Sequence, residues 1–70
     1  MNDNEEMFKQ MYKYLLETKN VFGTWNVGGP SKKDNLIIIA NRYKVNMTDE
    51  EVITAFRVYI QENKLEMLKF

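Results

Sequence analysis

Apolar side chains recur along this chain in three blocks with helical spacing, separated by one long apolar connection and one short turn. Phe8, Met11, Tyr12 and Leu15 fall at i, i+3, i+4 and i+7, while Lys9, Lys13 and Glu17 take the opposite face. Asp3 and Glu6 stand ahead of this block at the spacing of an amino-terminal cap with its acidic partner. The block predicts a helix over about 4–19, closed by Lys19, Asn20 and Val21.

Ser31 and Asp34 repeat the cap spacing directly after Pro30, and Leu36, Ile39, Ala40 and Tyr43 follow at helical positions. A second helix over about 31–44 is predicted. Ile37 extends its apolar stripe, whereas Ile38 and Val45 point to the other side, so the helix is apolar nearly all round. Two accounts stay open: a central helix covered on both sides, or a helix whose Ile38 and Val45 form a partner surface. A strand over 36–45 competes through its three consecutive β-branched isoleucines, and the cap favours the helix. Thr48-Asp49-Glu50-Glu51 is the clearest local signal, a hydroxyl cap followed by three carboxylates where the helix dipole favours them. The third helix runs over about 49–64, buries Val52, Ile53, Phe56, Tyr59 and Ile60, and turns Thr54, Arg57, Gln61 and Lys64 outward. Its end is indistinct, because residues 65–70 could either prolong it or fold back as a tail.

Residues 20–30 hold all three glycines and the only proline, so they cannot be helical throughout. Val21, Phe22, Trp25 and Val27 are too apolar for a solvated tether, and some of them must pack. The fold class is therefore all-α: one domain over 1–70, a small three-helix bundle with a long aromatic loop between its first two helices.

Composition mostly excludes. With 70 residues the chain buries roughly 60% of the surface its unfolded form exposes, which makes a marginally stable core. It has no cysteine and no histidine, so disulfides, structural zinc, a thiol nucleophile and the usual neutral-pH general base are all missing. Neither a metal nor another cofactor is expected. Asp49, Glu50 and Glu51 are accounted for by capping, and Ser31, the only serine, has no histidine to activate it. No catalytic residue is assigned, and the chain is expected not to be an enzyme. The longest apolar run, Leu36 to Ala40, is far shorter than the roughly 20 residues of a membrane span, and the first residues are acidic rather than basic. This predicts a cytoplasmic protein with no membrane partner, and a composition rich in Asn and Ile fits a bacterial, phage or mobile-element source.

Ten basic and ten acidic side chains cancel overall, yet residues 31–47 carry four bases against one acid. Lys32, Lys33, Arg42 and Lys44 could meet phosphates while Trp25, Phe22 or Tyr43 stacks on unpaired bases. Against this stands the neutral total, since domains devoted to nucleic acid are usually basic. A helix-turn-helix use of the third helix would place Asp49, Glu50 and Glu51 against DNA. Gly28-Gly29-Pro30 has the spacing of neither known phosphate-binding loop. Trp25 is the natural anchor for a protein partner, or else a cap on the core.

Residues 15–51 also resemble the YqgQ-like family of very short bacterial proteins. The likeness rests on Leu15-Leu16 with Thr18 closing helix one, Phe22 in an aromatic connection, Tyr43-Lys44 ending helix two, Met47 after it, and Glu51 opening helix three. The loop from Trp25 to Pro30 and the run Ile37 to Ile39 depart from it. The resemblance implies a three-helix bundle, and single-stranded nucleic-acid binding has been suggested for that family. Two functions are thus expected. The first is a small protein-binding module or regulator, self-association included, that works through Trp25, Phe22, Ile38 and Val45. The alternative is a single-strand nucleic-acid binder that uses Lys32, Lys33, Arg42 and Lys44.

Overall fold

The computed structural model describes residues 3–19, 31–43 and 45–70. They form an all-α, three-helix bundle: α1, Asp3–Glu17; α2, Lys32–Asn41; and α3, Asp49–Glu62. Residues 20–30, which hold the expected aromatic loop, lie outside the described residues, as does Lys44.

Two of the helices start where their caps dictate. The Ser31 hydroxyl accepts from the Asp34 N–H at 3.1 Å while the Asp34 carboxylate accepts from the Ser31 N–H at 3.2 Å. Thr48 and Glu51 exchange the same pair of bonds at 3.2 and 2.8 Å, and each such cap stabilises its helix by about 1 kcal/mol. α1 begins at Asp3 itself, one residue before the expected start.

The helix ends differ more from the expected limits. α1 stops at Glu17, where the Thr18 N–H and hydroxyl both donate to the Tyr14 carbonyl, at 3.1 and 2.9 Å. α2 stops at Asn41, three residues early. The N–H groups of Arg42 and Tyr43 fold back onto the carbonyls of Ile39 and Ala40, a tightening that satisfies the last carbonyls and ends the helix without glycine.

α3 closes in a Schellman turn. The Leu65 N–H reaches the Ile60 carbonyl at 3.0 Å and the Lys64 N–H reaches Gln61 at 3.1 Å, with Lys64 in the left-handed region at φ 54°. Glycine normally fills that position, because a Cβ crowds the following carbonyl there. Lys64→Gly is accordingly expected to stabilise the fold by about 0.5 kcal/mol, measurable by urea titration. An unchanged or lower midpoint would mean that the turn carries no strain.

That turn decides the fate of residues 65–70: they fold back over the bundle instead of prolonging α3. Leu68 enters the core, and Leu65 and Phe70 pack against it. The Tyr12 hydroxyl donates to the Glu66 carbonyl at 2.7 Å, and Arg57 lies 4.5 Å over the Phe70 ring, a cation–π contact.

Among the described residues, the core is formed by Met7, Phe8, Met11 and Leu15 from α1, Leu36 and Ala40 from α2, Val52, Ile53, Phe56 and Ile60 from α3, and Leu68. α2 packs on both neighbours, as a central helix should, and runs antiparallel to α1: Lys32 meets Thr18 and Asn35 meets Tyr14. α1 and α3 approach each other mainly through rings. Phe8 lies 5.9 Å from Phe56 and 5.2 Å from Tyr59, and Phe56 lies 5.5 Å from Phe70. Such separations are those of attractive aromatic pairs.

Candidate functional site

The wide spacing of α1 and α3 leaves a groove along their seam. It encloses about 540 Å³ and is lined by Glu5 and Phe8 of α1 and by Ala55, Val58, Tyr59, Glu62 and Asn63. Its origin is local. Positions 55, 58, 59 and 62 recur at i, i+3, i+4 and i+7, a second stripe on α3 beside the core stripe of Val52, Phe56 and Ile60. The sequence assigned Ala55 and Val58 to neither face of the helix. The i, i+3 pairing of Ala55 with Val58 was the signal available, and the stronger core stripe masked it. Phe8 and Tyr59 form the apolar base, while Val58 remains 44% exposed.

A second, smaller groove of about 280 Å³ lies between α1 and α2, lined by Gln10, Lys13, Tyr14, Glu17, Ile39, Arg42 and Tyr43. The Tyr14 hydroxyl accepts from Asn35 Nδ2 at 3.0 Å, which fixes one wall. Arg42, just past the end of α2, lines this groove together with Lys13 and Glu17 of α1.

The positions expected to bind are dispersed. Ile38 stands 49% exposed on α2, between the half-buried Ile37 and Ile39. Val45 is half-buried and packs against the core, so it does not share an open face with Ile38. Trp25 and Phe22 lie outside the described residues. Of the four expected cations, Lys32 is held against the end of α1, its Nζ donating to the Thr18 carbonyl at 3.0 Å, where a cation also meets the negative end of the helix dipole. Lys33 comes within 4.0 Å of Glu50, Arg42 lines the α1/α2 groove, and Lys44 is not among the described residues.

Among the described residues, no group of acidic side chains could hold a metal ion and no buried side-chain nitrogen or oxygen lacks a hydrogen-bond partner. No described helix is long and apolar enough to cross a membrane. In comparisons with known protein families, curated proteins and solved structures, the chain has no significant match.

Proposed function

We propose that this chain is a non-enzymatic protein-binding module that receives a partner segment in the α1/α3 groove. The observation that carries this reading is the second apolar stripe of α3, left open beside Phe8 instead of being closed by α1. A lone exposed isoleucine such as Ile38 is ordinary on a protein surface; an apolar groove between two helices is the setting in which amphipathic helices dock. The chain supplies no histidine or cysteine for acid–base or nucleophilic chemistry, which supports binding as its activity.

Single-strand nucleic-acid binding has less behind it. Lys32 caps α1, Lys33 approaches Glu50, and the groove that holds Arg42 also holds Glu17. Among the described residues, too few free cations converge to supply the electrostatic term on which such binding depends.

The groove and the α2 face make opposite forecasts. Val58→Asp should weaken binding of an amphipathic helical peptide by at least roughly tenfold, because a buried unpaired charge costs more than 1.4 kcal/mol. Ile38→Asp should leave that binding unchanged. Both side chains are exposed, so both variants should melt close to the parent chain. Fluorescence anisotropy would decide it, and loss of binding in the Ile38 variant alone would move the site to α2.

A further inference from the structure

Charge around the α1/α3 groove narrows what can occupy it. Glu62 lines the groove and is the last residue of α3, whose final turn has no basic residue. The carbonyl end of a helix carries a partial negative charge, so a carboxylate there raises the helix's energy while no cation is near. Glu5, on the other wall, has Lys9 at 3.7 Å, but both side chains are more than half exposed, and such a pair stabilises very little. An incoming cation can therefore take over Glu5 at small cost and relieve Glu62 at the same time.

This inference rests on the groove reading above. We infer that the occupant is a basic amphipathic helix, with an apolar stripe set on Phe8, Ala55, Val58 and Tyr59 and with lysine or arginine beside Glu5 and Glu62. The same carboxylates discriminate against the other candidates. A second copy docking groove to groove would bring the two carboxylates of one groove towards the two of the other, and nucleic-acid phosphates would meet two like charges. Glu62 takes part in no cap of α3, so nothing in that helix requires an acid there.

Three synthetic peptides as long as α3, sharing one leucine stripe and flanked by lysine, glutamine or glutamate, test this directly. The lysine peptide is expected to bind roughly tenfold tighter than the glutamine peptide, and raising salt from about 50 to 300 mM should remove most of the difference. Glu5→Gln with Glu62→Gln should erase the preference and move the melting temperature little, because Glu62→Gln relieves the carbonyl end of α3 while Glu5→Gln removes an acid from the first turn of α1. Glu5→Lys with Glu62→Lys should transfer it to the glutamate peptide. Amide chemical shifts locate the binding: changes at Phe8, Val58 and Tyr59 support the assignment. Equal affinity for the lysine and glutamine peptides, with shifts in the groove, would overturn the charge inference and leave the groove reading intact. If no peptide shifts these residues, the groove reading itself fails. Lysine-peptide binding that the Gln variants leave unchanged would place the cations elsewhere on the surface and refute the assignment.

Discussion

Phe56→Ala should unfold this protein, or nearly so, at room temperature. The ring is fully buried and lies within 6.4 Å, centre to centre, of Phe8, Tyr59 and Phe70, so its removal takes one partner from three aromatic contacts at once. Phe→Ala in a core costs about 3–5 kcal/mol, the transfer term plus the cavity left behind. A 70-residue domain holds only about 4–10 kcal/mol in total, so one side chain accounts for much of the stability. Phe56→Leu keeps most of the volume and should cost no more than about 1.5 kcal/mol. Urea titrations of both variants check this. A Phe56→Ala protein within about 1 kcal/mol of the parent would mean that the cluster closes over the gap and that the rings do not hold α1 to α3.

Ending the chain after Lys64 is expected to be almost as damaging. Leu68 is buried and Phe70 half-buried, and fully burying a large apolar side chain contributes about 1.5–3 kcal/mol. The Tyr12 hydroxyl bond to Glu66 adds about 1 kcal/mol, whereas the Lys19–Glu66 ion pair at 3.2 Å is solvent-exposed and adds close to nothing. The expected loss is about 3–5 kcal/mol, seen as a broad, early thermal transition by circular dichroism. Leu68→Ala with Phe70→Ala in the full chain should reproduce most of it, and Glu66→Gln almost none. A shortened chain that melts cooperatively at the parent temperature would show that residues 65–70 are a passive covering.

α2 and α3 were legible because their beginnings are written locally, whereas Asp3, the expected cap of α1, is the first residue of that helix and Glu6 accepts from Gln10 instead. A serine or threonine three residues before an acid is enough to start α2 and α3, and the caps observed are the caps expected. Their ends are not local in the same way. α2 stops at Asn41 with neither glycine nor proline nearby, and Lys64 takes a left-handed conformation that its side chain disfavours. What recovers that cost is burial of Leu65 and Leu68 against residues far away in sequence, which no short window contains. The site follows the same division. Lys32 belongs to a basic segment in the sequence, but only the antiparallel packing of α1 and α2 commits its ammonium to Thr18. Val58 is unremarkable beside Phe56 until α1 is seen to approach α3 mainly through its rings.

Phe56 touches Phe8 on one side and Phe70 on the other, residues from opposite ends of the sequence. During synthesis Met7, Phe8, Met11 and Leu15 therefore leave the ribosome well before most of the residues that will cover them. In that interval the apolar face of α1 is open to chaperones, to proteases and to other unfinished copies of itself. Slow translation through the third helix lengthens that interval.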